Sequence, residues 1–263
     1  MHARDNSNVE SAELGAMPQD AGLKGRLPVV PVNQPSGGYL VDPQTSQPPQ
    51  LPTPHFVRRA RKTAMIDVSA ITALHRECTE RWHHASIDNP YRGFLHLVCE
   101  QHQRNFLLWH EEDKARDPTA TDHEIAAVKR RIDRLNQERN DWIERLDEYI
   151  LKNLAAWGVR PLPRAKLNTE TPGSAIDRLS ILALRIYHME EQTQRTDVDE
   201  EHRERARAKL SILYQQHEDL SAALADLLAD LFSGKRVMKI YRQFKMYNDP
   251  AYNPYLYQRR PAA

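Results

Sequence analysis

Residues 168–189 read NTETPGSAIDRLSILALRIYHM, and the way this stretch folds decides how the rest of the chain must be arranged. Thr171 can accept a hydrogen bond from a free backbone N–H, Pro172 suits the first helical position, and Gly173 lets a second backbone come close, so a helix is expected to start at Thr171. At about 100° per residue, Ile176, Leu179, Leu182, Ala183, Ile186, Tyr187 and Met189 cover more than half its circumference, and Ile181 and Leu184 extend that cover. A helix apolar on so many sides must be enclosed by others. Asp177, Ile181, Leu184 and His188 share one stripe, which sets Asp177 and His188 facing the same way about 16 Å apart, too far to hold one metal ion.

Upstream, Thr121 and Asp122 open the longest helical pattern. Ile125, Val128, Ile132, Leu135, Arg139, Trp142, Leu146 and Tyr149 alternate spacings of three and four, a coiled-coil-like seam with an arginine at one core position. A helix over residues 90–113 puts Phe94, Val98, Leu108 and Trp109 on one side, where Gln101, His102, Asn105 and Glu112 also fall. An unpartnered buried amide costs roughly 1–3 kcal/mol, so these polar groups must be satisfied internally, exposed at a groove or paired with a ligand. The short turn over residues 114–120 makes the two helices antiparallel neighbours, bringing Asn136 and Arg139 level with residues 96–102. Gln101, His102, Asn136 and Arg139 then form one polar layer, either a device that fixes register or a ligand pocket. A first helix starts at Asp67, with Val68, Ile71, Leu74, Cys78 and Trp82 on its apolar face, and ends before the turn at Asp88, Asn89 and Pro90. Its Glu80 and His83 match the E-x-x-H spacing of carboxylate-bridged metal bundles, but no second E-x-x-H occurs, so neither a metal centre nor another cofactor is expected.

Downstream, a turn at residues 196–200 leads into a fifth helix faced by Leu210, Leu213, Tyr214, His217, Leu220, Leu224, Leu227, Leu228 and Leu231 and closed by Gly234. An antiparallel hairpin of the last two long helices would set Asp177 and Arg178 level with His217 and Glu218, allowing an Asp177/His217 contact; the alternative is a histidine satisfied in the core. The segment 235–263 interleaves Lys235, Arg236, Lys239, Arg242 and Lys245 with Tyr241, Phe244 and Tyr247. Such a pattern suits an anionic partner, yet Ile240, Phe244 and Tyr247 also suit a short helix docked on the bundle and ended by Asn248, Asp249 and Pro250.

Residues 1–60 hold 9 of the 17 prolines and 5 of the 9 glycines and lack periodicity, so they read as a disordered leader in which PPQLPTP is a flexible spacer or a polyproline ligand. The leader carries five basic and five acidic side chains and residues 235–263 seven basic and one acidic, which leaves residues 61–234 acidic by five charges. An acidic body with a basic tail can attract two different partners. Two cysteines on helical patterns, Cys78 and Cys99, read as buried thiols in a reducing cytoplasm, and no apolar run is long enough for a signal peptide or a membrane span.

The blocks NFLLWHEEDKAR, LNQERNDWIERLDEYI, TPGSAIDRLSILALRIYHM and YRQFKMYNDPAYNPYLY, in that order, resemble an uncharacterised bacterial family, domain of unknown function 4254, over residues 66–257. The resemblance implies a helical protein without an assigned activity, and an association with surface-glycan synthesis through neighbouring glycosyltransferase genes. Its polar positions here are Asn105, Trp109, Glu112, Asp113, Arg116, Asn136, Arg139, Asn140, Asp141, Asn168, Glu170, Asp177, Arg178 and His188.

The sequence contains no P-loop, no G-x-S-x-G, no H-E-x-x-H and no zinc-type cysteine spacing. The expected architecture is all-α, an antiparallel bundle of five main helices over residues 61–234 with the tail docked on it, in a cytoplasmic protein whose helix pairing can extend to a homodimer. Three functions compete. The first is a helical interaction or ligand-binding module accessory to glycan assembly, with Gln101, His102, Asn105, Glu112, Asn136, Arg139 and Arg178 meeting a protein partner or an anionic small molecule. The second is an enzyme with Asp177 and His217 or His188 as acid-base partners. The third, ranked last because the body is acidic, is nucleic-acid binding through the tail.

Overall fold

Four of the five long helices start on a side chain that satisfies their free backbone donors. Asp67 accepts from Ser69 N, Thr121 and Glu124 form a reciprocal capping box, Thr171 accepts from Ser174 N, and Asp199 accepts from His202 N. In the computed structural model, which describes residues 66–258, these caps open α1 (Val68–His84), α3 (Asp122–Ala156), α4 (Pro172–Gln194) and α5 (Glu200–Phe232). The fifth, α2 (Gly93–Lys114), starts without a side-chain cap, its Gly93 in the left-handed region at φ +61°. Two-residue strands β1 (Lys166–Leu167) and β2 (Arg236–Val237), a 3-10 turn (Met246–Asn248) and a single-turn α6 (Pro254–Tyr257) complete the described residues. The leader 1–60 and its proline motif lie outside them. No helix among the described residues is long and apolar enough to cross a membrane.

The fold is the all-α bundle that the periodicities predict. Helices α2 and α3 are antiparallel: Arg131 pairs with Glu111 near the turn, and Arg104 pairs with Glu138 farther from it. Helix α4 lies against α1, α2, α3 and α5, and Ile176, Leu179, Leu182, Ala183 and Leu184 are all buried. The core joins Ile176, Leu179 and Leu184 to Ile71, Leu74, Cys78 and Trp82 of α1, Phe94 and Val98 of α2, Leu146 and Ile150 of α3, and Leu224, Leu228 and Leu231 of α5. Cys78 and Cys99 are buried free thiols with their sulfurs 3.9 Å apart.

The N-terminus of α4 meets α3 at backbone distance. A Cβ on Gly173 would stand 2.6 Å from the carbonyl oxygen of Ile143 and 2.8 Å from Asp147 Oδ1. In that space the Gly173 N–H donates to Asp147 Oδ1 at 2.7 Å. Glycine is required here because the two backbones touch.

The connector after α3 is clasped to the segment that follows α5. Lys166 and Leu167 pair in parallel with Arg236 and Val237, Asn168 N donates to Val237 O, and Leu162 N donates to Gly234 O. Gly234, at φ +75°, turns the chain into this clasp. One expectation needs correction: the tail does not fold as a helix over Ile240 to Tyr247. Beyond β2 the chain stays non-helical as far as the Met246–Asn248 turn, with Tyr241, Phe244 and Tyr247 exposed. The contacts with the body are ionic: Arg242 meets Glu144 and Glu148 of α3. The clasp sets the segment off in an extended direction, and the acidic face of α3 engages its cations rather than its rings.

Candidate functional site

Of the residues expected in a polar layer between α2 and α3, Gln101 and Arg139 come together, and they meet on a residue of α4. Asp177, 4% exposed, accepts at Oδ1 from Gln101 Nε2 at 2.6 Å, Asn105 Nδ2 at 2.9 Å and Arg139 Nε at 2.7 Å, while its Oδ2 accepts from Arg139 Nη2. Spacings of four on α2 stack Gln101 and Asn105 on one face, and the antiparallel register delivers Arg139 to their level, about a turn beyond the expected one. The fork of hydrogen bonds to Asp177 raises the Arg139 pKa above its ordinary value and fixes its guanidinium, whose Nη1 stays uncommitted to Asp177.

From Asn105 the polar contacts continue through the core. Asn105 Nδ2 also donates to Ser180 Oγ at 2.9 Å, Ser180 Oγ lies 2.7 Å from His102 Nδ1, and His102 Nε2 lies 3.0 Å from Thr79 Oγ1. Burial pushes the His102 pKa down to about 3, so it is neutral at pH 7 and donates from only one of its two nitrogens. His75, its ring tilted against it with centroids 4.8 Å apart, is buried without a hydrogen-bond partner among the described residues, and desolvation lowers its pKa too.

This chain of polar groups connects two cavities. The first, about 290 Å³, is lined by Asn105, Leu108, Trp109, Glu112, Asp113, Arg116, Arg139, Ile181, Leu184 and Arg185. Asn105, Trp109, Glu112, Asp113, Arg116 and Arg139 are six of the polar positions on which the family resemblance rests. The buried Oδ1 of Asn105 has no hydrogen-bond partner among the described residues. Beside the cavity, Lys245 comes close enough to Arg139 for that charge, after burial, to lower its pKa. The second cavity, about 420 Å³, lies between α1, α4 and α5 and is lined in part by Thr79, Tyr187, Tyr214 and His217.

The other sequence candidates are placed as follows. Asn136 is half-buried and stands outside the Asp177 network. Glu112 lines the first cavity and pairs with Arg116, and Arg178 is exposed and paired with Glu170. His217 does not reach Asp177: the carboxylate faces α2 and α3, whereas His217 shares the second cavity with Tyr187. The two residues point to different sides of α4. Lys235 and Arg236 are held by Asp230, Arg242 by Glu144 and Glu148, and Lys239 is exposed.

His188, the other candidate base, lies with two residues that the sequence did not single out together. Ring nitrogens of His83, His110 and His188, from α1, α2 and α4, all fall within 4.8 Å of one another. Burial lowers the pKa of His83, and burial with its two histidine neighbours lowers that of His110. The E-x-x-H pattern pointed to His83 but paired it with Glu80; no spacing within one helix could have revealed partners on two others. Trp109 stacks on His188 at 5.0 Å, so one indole both walls the first cavity and backs the histidine cluster.

A family model described as "Protein of unknown function (DUF4254)" matches residues 95–240, which take in α2 from its third residue and the whole of α3, α4 and α5. No curated protein and no solved structure matches the chain.

Proposed function

The chain belongs to the DUF4254 family, and we propose that it is a ligand-binding module that takes a small anionic molecule in the cavity between α2, α3 and α4. The observation that carries this reading is Arg139: one edge of its guanidinium is locked by a buried carboxylate while the residue lines a cavity. A fixed guanidinium with uncommitted N–H groups is preorganised for a phosphate or carboxylate, since little conformational entropy is lost on binding. On the lining, Arg116, Arg139 and Arg185 outnumber the carboxylates of Glu112 and Asp113, Trp109 offers a flat wall for a ring, and Asn105 Oδ1 can accept from a ligand hydroxyl. These features suit a sugar phosphate, the class that a role accessory to surface-glycan assembly would supply.

The enzyme reading has less support. Both oxygens of Asp177 are engaged by donors, including a bidentate arginine, so the residue serves to hold Arg139 rather than to move protons. Isothermal titration of the full-length protein with hexose 1-phosphates, hexose 6-phosphates and the matching neutral sugars tests the proposal. Saturable binding of a phosphorylated sugar, weakened at least tenfold in Arg139→Met and in Trp109→Ala, is expected. Equal heats for phosphorylated and neutral sugars, or binding indifferent to Arg139, would reject it.

A further inference from the structure

We propose that His83, His110 and His188 form a binding site for a divalent transition-metal ion, with zinc as the best-suited occupant. The three rings come from three different helices, and their planes stand 77° (His83 with His188), 75° (His83 with His110) and 88° (His110 with His188) apart. Three edges therefore converge on one point instead of stacking as a purely apolar cluster would.

The hydrogen bonds of two of the rings select the nitrogen each presents. His83 Nδ1 donates to the carbonyl of Thr79 at 2.6 Å, and His188 Nδ1 is 2.7 Å from Glu191 Oε2. A histidine that ligates a metal commonly gives its other N–H to a carbonyl or carboxylate, which fixes the tautomer and raises ligand basicity. The Nε2 atoms of both rings are thereby left as acceptors, and both are buried with no hydrogen-bond partner among the described residues. Two unpartnered acceptors on rings whose centroids lie 5.0 Å apart are unfavourable in an empty cluster and become ligands when a cation lies between them. Ring planes are held from behind: His83 stacks on Tyr187 at 4.2 Å and His188 on Trp109 at 5.0 Å.

The donor set decides the class of ion. Three neutral imidazoles without carboxylate or thiolate suit zinc, copper or nickel, and not magnesium or calcium, which require oxygen ligands. Tetrahedral zinc with Zn–N bonds of about 2.0–2.1 Å puts its ligand nitrogens about 3.3 Å apart, so the cluster must close by roughly 1.5 Å at its widest, within reach of small χ rotations. Three protein ligands leave the fourth position for water or a ligand atom. The site is separate from the Asp177 network, since Asp177 and His188 are about 16 Å apart along α4, and it does not depend on the sugar-phosphate reading.

The test is a zinc titration of full-length, untagged protein stripped with chelator, read by competition with a chromophoric zinc indicator, and a cobalt(II) titration read in the visible spectrum. The expected result is one equivalent of zinc bound, affinity reduced at least 100-fold in His110→Ala and in His188→Asn, and cobalt bands of tetrahedral intensity. Glu191→Gln, on an exposed residue that does not touch the metal, is expected to weaken zinc about tenfold while far-UV circular dichroism stays unchanged, an effect that a packing role would not give. The proposal is overturned if the wild-type protein takes up no zinc, or if its uptake survives in folded His110→Ala or is unmoved by Glu191→Gln.

Discussion

Gly173→Ala puts a methyl group where α4 and α3 meet. The new Cβ would stand 2.6 Å from Ile143 O, whereas ordinary contact begins at 3.4 Å, so the helices must part by about 0.8 Å. Ile143 O is a backbone atom inside a helix and cannot swing aside, so the movement falls on the first turn of α4. The Gly173 N–H bond to Asp147, now 2.7 Å, would lengthen to about 3.5 Å, beyond useful hydrogen bonding. Overpacking of this kind costs about 1–3 kcal/mol, and a buried carboxylate deprived of a donor about 1–3 more. Alanine's better helix propensity returns at most about 1 kcal/mol. The net expectation is a loss of about 1–5 kcal/mol, lowering the midpoint by roughly 3–15 °C at this size. Urea unfolding followed by circular dichroism, with a thermal melt beside it, measures both. A variant within 0.5 kcal/mol of wild type would refute the claim that backbone contact, and not side-chain filling, sets this junction.

Three further outcomes are expected. Asp177→Asn and Arg139→Met should each cost about 2–4 kcal/mol in urea unfolding, because each strands a buried or half-buried partner, while the double variant should cost clearly less than their sum; additivity would show that the pair is not coupled. Acidification acts with opposite signs on two groups. His102, held at about 3 against an ordinary 6.5, loses stability by about 1.4 kcal/mol per pH unit as pH falls below 6.5, and Asp147, raised by burial to about 6, regains some as its charge is neutralised. Asp147→Asn should therefore enlarge the loss between pH 7 and pH 5 by about 1 kcal/mol, and pH profiles of equal slope would contradict the assignment. Arg242→Ala should leave the urea midpoint close to that of the wild type, since its ion pairs are partly exposed, but should speed hydrogen exchange over residues 239–247; unchanged exchange would mean that another contact holds the segment.

Much of the fold could be read from the chain because its signals are local. Thr121 with Asp122, and Thr171 with Pro172 and Gly173, mark helix starts by chemistry that acts within one turn, and the structure places the starts there. The meeting of Gln101 with Arg139 could also be anticipated, because a short turn fixes antiparallel register. What escaped was rotational or non-local. Asp177 was paired with His217 on the basis of level along the helices, but which side of α4 each residue faces depends on packing that no single helix encodes. His83, His110 and His188 are far apart in sequence and meet only when three helices are assembled. The clasp between β1 and β2 is too short to have a period, and the apparent period of Ile240, Phe244 and Tyr247 describes a segment whose start the clasp has already fixed as extended.

The line from Asn105 through Ser180 and His102 to Thr79 has a directional consequence. Each hydroxyl in it has one proton, and His102 when neutral has one on its ring. With the proton on Nε2, every group donates away from Asp177, and Thr79, receiving that bond, keeps its own proton to offer. With the proton on Nδ1, Thr79 must give its proton to the ring and shows only a lone pair. The second cavity is thus lined by a hydroxyl whose hydrogen-bonding sense is set by the tautomer of a histidine behind it, and so by the polar groups at the opposite side of the core.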